Sequence, residues 1–164
     1  MTHPVITISR QYGSGGRLIG ETLAKELNIK YYDRRLIDMV AEESGLGKAY
    51  IKANDEKTPN ETLFGGAAFG GVFSPFTPYV PYSNIDKMFF TQSDIIRKLA
   101  DEGPCVIIGR CADFILKDYP GTFSVYFHAN KKYRVGRVIR RYGIEPEQAY
   151  AEMSKVDKHR ANYY

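Results

Sequence analysis

VITISRQYGSGGRLIG, residues Val5 to Gly20, decides how the rest of the chain is read. Val5-Ile6-Thr7-Ile8 is short, rich in β-branched residues and ends at a turn, which is the pattern of a buried strand. Residues 17–28 place Ile19, Leu23 and Leu27 at i, i+4 and i+8, so a helix with one apolar face is expected there. Between strand and helix, Gly13, Gly15 and Gly16 permit positive φ and let successive backbone N–H groups point to one place. The helix start adds its partial positive charge. Together these make an anion cradle that needs no side chain. A plain strand-to-helix turn is the other reading of the same residues.

Further along, Tyr31-Tyr32 reads as a short extended piece, with Asp33 placed to cap a second helix. Lys48 to Asp55 adds a helical turn or two, and residues 86–102 return to helical periodicity with Phe89, Ile96 and Leu99-Ala100 on one side. Cys105 to Ile108 is a second buried strand, ending in Gly109-Arg110. CADFILKDYPG is a short helix stopped by Pro120, and TFSVYFHAN a third strand, with Asn130 placed to cap the helix after it. That helix carries Val135, Val138, Ile139 and Tyr142 on one face and Arg134, Arg137 and Arg141 on the other. A final helix opens at Glu145-Pro146. Strands alternating with helices imply an α/β fold with a parallel sheet covered on both faces, whose ligands bind beyond the carboxyl ends of the strands. That rule gathers the 10–17 loop, Gly109-Arg110 and the residues after His128.

The 164 residues fit a single domain. Apolar residues at 43% and charged residues at 26% describe a soluble globular chain. The net charge of +4 suits anionic ligands and falls short of the dense basic patch that nucleic-acid binding requires. There is no apolar run long enough for a membrane span and no signal-peptide pattern, so a cytoplasmic location is expected. Cys105 and Cys111 lack metal-ligand spacing, and Cys105 reads as a buried free thiol. The segment 62–83 mixes glycine, proline and aromatics without charge, marking an insert at about 57–85. Packing against a neighbouring subunit, as in a homodimer, and closure over a ligand are both open for it.

Against the P-loop formula GxxxxGK[ST], the match is incomplete in either register. With Gly15 as the second glycine, Gly16 takes the place of lysine. With Gly16 there, Arg17 replaces lysine and Leu18 the metal-binding hydroxyl. Arginine supplies the charge as a planar fork where lysine would supply a compact ammonium.

With these pieces assembled, the chain resembles the cytidylate kinase-like family of P-loop nucleoside monophosphate kinases. ITISRQYGSGGRLIGETLAKEL is similar to that family's opening, and YYDRRLI to its second block. VIIGRCADFIL resembles the segment carrying its Gly-Arg pair; VYFHANKKYRVGRVIRRYG and VDKHRANYY resemble the helices entering and leaving its lid. The resemblance spans nearly the whole chain except 57–85. It implies a three-layer αβα P-loop NTPase-type parallel sheet with a helical lid, and, because family members continue into another strand, a sheet short of one C-terminal strand. It further implies ATP as donor, CMP or dCMP as acceptor, and Mg²⁺. Carried over residue by residue, Gly13, Ser14, Gly15, Gly16, Arg17 and Leu18 hold the donor phosphates. Asp33, Arg35 and Arg110 contact the acceptor, and Arg17, Arg110, Arg137, Arg141 and Arg160 close on the transferring phosphoryl group.

Each of these residues also has a purely structural reading. Arg134, Arg137 and Arg141 could form a solvated face, Asp33 could only cap, Arg35 could pair with Asp38 or Glu42, and Arg160 with Asp157 or Glu152. The family's EGRD is replaced here by Ile108-Gly109-Arg110-Cys111, which leaves the metal ligands open; Asp113 is the nearest acid. Two alternatives to the monophosphate kinase therefore stand: a nucleotide-binding regulatory protein with weak or no transfer, and a P-loop kinase for another small acceptor.

Overall fold

The computed structural model describes residues 3–54 and 84–163. The segment 62–83, with the subunit contact or ligand closure considered for it, lies outside the described residues. Asn84 and Ile85, which the insert was expected to reach, open a helix instead.

Among the described residues, four parallel strands form one sheet in the order β2-β3-β1-β4. They are β1 (Val5–Arg10), β2 (Lys30–Tyr32), β3 (Cys105–Ile108) and β4 (Thr122–Phe127). Val5 pairs with Cys105 and Ile8 with Ile108, and β4 runs along the other side of β1 from Val5↔Thr122 to Arg10↔Phe127. Because side chains alternate across a strand, β3 serves two cores at once. Cys105 and Ile107 pack with Leu36, Val40, Ile95, Ile96 and Leu116 from α2 (Arg34–Ser44), α4 (Asn84–Glu102) and the residue after α5 (Ala112–Ile115). Ile51 of α3 (Lys48–Asn54) joins the same cluster. Val106 and Ile108 face α1 (Gly16–Glu26) on the opposite side. This is the three-layer arrangement expected for unbroken apolar strands. The last two helices, α6 (Lys131–Tyr142) and α7 (Pro146–Tyr163), pack on each other and against the loop leaving β1. Asn130 caps α6 as expected, its side chain accepting from the Tyr133 N–H at 2.8 Å.

The apolar stripe of α1 corrects a sequence expectation. Ile19 and Leu27 are 43% and 49% exposed, and the face turned to the sheet is Gly16, Gly20 and Ala24. A Cβ on Gly20 would lie 2.6 Å from Ile108 Cδ1 and 2.9 Å from Ile8 Cδ1. The helix sits so close to β1 and β3 that only small residues fit beneath it. Periodicity located the helix but not its buried side. The short helix after β3 also ends earlier than Pro120, at Ile115. β4 closes the sheet among the described residues, and its Phe123 and Tyr126 are 60% and 59% exposed.

Two outcomes follow from this packing. Gly20→Val should lower unfolding free energy by at least about 2 kcal/mol, since it forces two buried isoleucine tips to move, whereas Leu27→Ser should stay within about 0.5 kcal/mol; urea melts distinguish them. Burial raises the Cys105 thiol from its ordinary 9.0 to about 11. The folded state then holds its proton where the unfolded chain releases it. The resulting stability is complete below the unfolded value and is lost as pH rises through the folded one. Relative to Cys105→Ala, wild-type stability should therefore decline between pH 9 and 11, measured by urea melts across that window.

Candidate functional site

The loop between β1 and α1 is shaped by its glycines. Gly13 and Gly15 take φ of 76° and 95°, and Gly15 is the N-cap of α1 with no side-chain cap bond. The Ser14 hydroxyl accepts from the Gly16 N–H at 3.5 Å, and the next N–H groups of the first turn have no acceptor within the helix and suit an outside one. Gly13 is required a second time, because a Cβ there would stand 2.9 Å from the backbone oxygen of Arg134. Helix α6 thus rests directly on the loop.

What fixes α6 there is a carboxylate from α7. Asp157 Oδ1 accepts from the Tyr12 N–H at 2.7 Å, and Asp157 Oδ2 accepts from Arg134 Nη1. The same Nη1 donates to the Tyr12 carbonyl at 3.1 Å. Arg134 is buried, so the arginine face of α6 is not uniform: Arg134 braces the loop from within, while Arg137 and Arg141 face the space above it. Arg160, one turn beyond Asp157, donates to the Arg10 carbonyl at 3.3 Å. Tyr12 stacks on Tyr142 at 5.1 Å between ring centres. Burial, followed by the neighbouring Tyr142 and Glu152, raises the Tyr12 hydroxyl pKa, so it stays protonated.

Above the loop opens a cleft of about 540 Å³. Arg10, Arg17, Arg34, Arg110, Arg137, Arg141 and Arg160 line it, against two acids, Glu21 and Asp33. The Arg137 guanidinium lies 3.7 Å from where a Gly15 Cβ would be, and its Nε has no hydrogen-bond partner among the described residues. Such a surplus of arginine around an uncapped helix start is built for a polyanion. A second cavity, also about 540 Å³, shares Arg10, Gln11, Arg110 and Arg160 with the first and adds Ser9, Asp113 and Tyr126. Asp113 there accepts from the Ser9 hydroxyl at 3.2 Å.

Of the residues expected from the sequence, Gly15, Gly16, Arg17, Leu18, Asp33, Arg110, Arg137, Arg141 and Arg160 line this cleft. Gly13 and Ser14 are buried under the loop and do not line it. Arg35 is exposed outside the cleft, and its neighbour Arg34 takes the position at the rim. Asp33 stands at the N-cap of α2, but its side chain makes no capping bond. It instead forms an ion pair with Arg17, Oδ2 to Nε at 2.6 Å. Burial works against the Arg17 charge, yet Asp33 and Tyr31 outweigh it and raise its pKa. Arg17 is thereby tied to the start of α2.

The exit of β3 is strained. Gly109, Arg110 and Cys111 have φ of 70°, 62° and 52°, a full turn in the left-handed region. For Arg110 and Cys111 this costs on the order of 1–3 kcal/mol each. The Arg10 guanidinium lies across Gly109, in the space a Cβ would take.

The model of the cytidylate kinase-like family matches residues 5–164. The chain belongs to that family. A crystal structure of an uncharacterized protein from Eubacterium ventriosum is similar to it, with 28% identity, a TM-score of 0.68, and coverage of 98% of this chain and 75% of that one. No curated protein matches. Membership in the cytidylate kinase-like family points to nucleotide kinase chemistry, and among the described residues no helix is long and apolar enough to cross a membrane.

Several cleft residues of this cytidylate kinase-like chain were not singled out from its sequence. Arg10 ends β1, Gln11 and Tyr12 follow it into the loop, and their place just before the glycines was the available signal. Asp157 lies in the quoted VDKHRANYY stretch but was read only as a partner for Arg160. Because Asp157 neutralises buried Arg134, Asp157→Ala should destabilise the fold by about 3 kcal/mol. Adding Arg134→Met should recover part of that loss, as read by urea denaturation.

Proposed function

We propose that the protein transfers the terminal phosphoryl group of ATP to a nucleoside monophosphate, with CMP or dCMP as acceptor. The observation that carries this reading is the seven-arginine cleft over the uncapped start of α1. Phosphoryl transfer asks for positioning and for charge spread over equatorial oxygens to be met by fixed cations, more than for a covalent partner. The loop N–H groups and Arg137 suit the donor phosphates. Asp33, Arg17 and Arg34 suit an acceptor approaching from the α2 side. Arg10, Arg110 and Arg160 line both cavities, where donor and acceptor phosphates would meet. The acceptor phosphate oxygen is already an anion and attacks the terminal phosphorus as the bond to the bridging oxygen breaks and ADP leaves.

Among the described residues no three His, Cys, Asp or Glu side chains gather as a metal site. Mg²⁺ commonly takes one or two carboxylates plus phosphate oxygens and water. Asp113, beside Ser9 in the shared cavity, is the acid that fits this role. When bound with ATP, Mg²⁺ would neutralise charge on the donor phosphates. The cytoplasm, where ATP and nucleoside monophosphates occur together, is the compartment this chemistry suits.

A second reading has one observation in its favour. Neither register of the loop formula has a lysine, Arg17 is engaged with Asp33, and Arg10 lies across Gly109, so neither arginine flanking the glycines stands in simply for the lysine. This supports a nucleotide-binding protein with little transfer. ADP release measured over a panel of monophosphates and other small acceptors separates the readings. CMP-dependent turnover supports the kinase, and ATP binding without turnover supports the binder. Arg137→Ala should weaken ATP binding at least about tenfold, as expected for loss of a charge-assisted contact, with calorimetry as the measurement.

A further inference from the structure

Gln92 is a polar side chain on the apolar face of α4, one turn from Met88 and one from Ile96, and it is only 1% exposed. A buried amide must have its hydrogen bonds satisfied, and this one spends both ends on a single residue. Its Nε2 donates to the Arg110 carbonyl at 3.2 Å, and its Oε1 accepts from Arg110 Nη1 at 3.2 Å. Arg110 is the non-glycine residue at the centre of the left-handed turn leaving β3, and it lines both cavities. One amide therefore holds the strained peptide and the guanidinium that projects from it.

We infer that Gln92 is a positioning residue, which fixes the Arg110 guanidinium at the junction of the two cavities for contact with the acceptor's phosphate. This rests on the phosphoryl-transfer reading for the identity of the anion, and on geometry alone for the clamp. The fork of an arginine is useful only when its plane is set in advance, because an unrestrained guanidinium must be ordered each time an anion binds. A long side chain on a strained backbone cannot be set by rotamer preference alone. The inward amide supplies one such constraint from a helix, which is the more rigid support.

The test uses the full chain with inorganic pyrophosphate as probe, CMP as substrate, and NMR of the arginine side chains. Gln92→Met keeps length and apolar packing but removes both hydrogen bonds. Gln92→Glu keeps an acceptor for the guanidinium and removes the donor to the carbonyl. Gln92→Met should weaken pyrophosphate binding about 10- to 100-fold, the range for a hydrogen bond to a charged group. It should raise KM for CMP by a similar factor with a smaller change in kcat, and sharpen the Arg110 Nη signals through faster rotation about its Nε–Cζ bond. Gln92→Glu should restore binding to within about threefold of wild type. If Gln92→Met binds pyrophosphate as wild type does while Arg110→Ala does not, the clamp is not needed and the inference is overturned. It is also overturned if Arg110→Ala itself leaves binding intact. Should wild type bind pyrophosphate but turn over no monophosphate, the kinase reading fails while the Gln92 effect on pyrophosphate and on the NMR signals still decides the clamp. If Gln92→Met proves unfolded, Gln92→Ala carries the same decision: sharpened Arg110 Nη signals support the clamp, and signals like those of wild type refute it.

Discussion

The site depends on one carboxylate. Asp157 accepts from the backbone of the glycine loop with one oxygen and from buried Arg134 with the other, so loop, α6 and α7 share a single anchor. The loop's own glycines give it freedom but no rigidity. Rigidity arrives from outside, through α6 lying on Gly13 and through the Asp157 contacts that keep it there. An anion cradle made of main-chain N–H groups is only as good as its fixed geometry. Here that geometry is set more than a hundred residues away in sequence.

Much of the fold could be read in advance because its signals are local. The strand at Val5 is β-branched and mostly apolar, that at Cys105 is an unbroken apolar run, and the helix after Asn130 carries its own cap. The side of α1 that is buried could not be read, because it is decided by how close the helix comes to Ile8 and Ile108. The site divides in the same way. Arg17, Arg110, Arg137, Arg141 and Arg160 were visible as arginines near strand ends or on one helix face. That Arg134 is internal while Arg137 is not depends on a partner in another helix. Asp33 looked like a cap, and its position is that of a cap, yet its carboxylate goes to Arg17. Gln92 left only a faint trace, a polar residue where helical periodicity called for an apolar one.

The absence of a loop lysine changes where the positive charge comes from. In this chain it is assembled from β1, α1, α2, the β3 exit, α6 and α7, each contributing at least one arginine to the same cleft. These like charges repel, so the cleft costs stability until an anion enters and returns it. The same dispersal makes the cation field a property of the assembled domain. A lysine within the loop would bring its charge along with the glycines; these arginines contribute only when their helices are seated.

The close seat of α1 has a mechanical corollary. With Gly16, Gly20 and Ala24 against the strands, the helix puts no long side chain of its own between itself and the sheet, and the tips of Ile8 and Ile108 meet it directly. A pull on the first turn of α1 would therefore pass into β1 and β3 through close-packed contacts, with little slack to absorb it. Stiffness of that kind makes α1 the fixed jaw of the cleft. The opposite jaw, α6 and α7, is joined to it only through the loop, by the seat of α6 on Gly13 and by the Asp157 and Arg160 contacts, so the width of the cleft is set at that one joint.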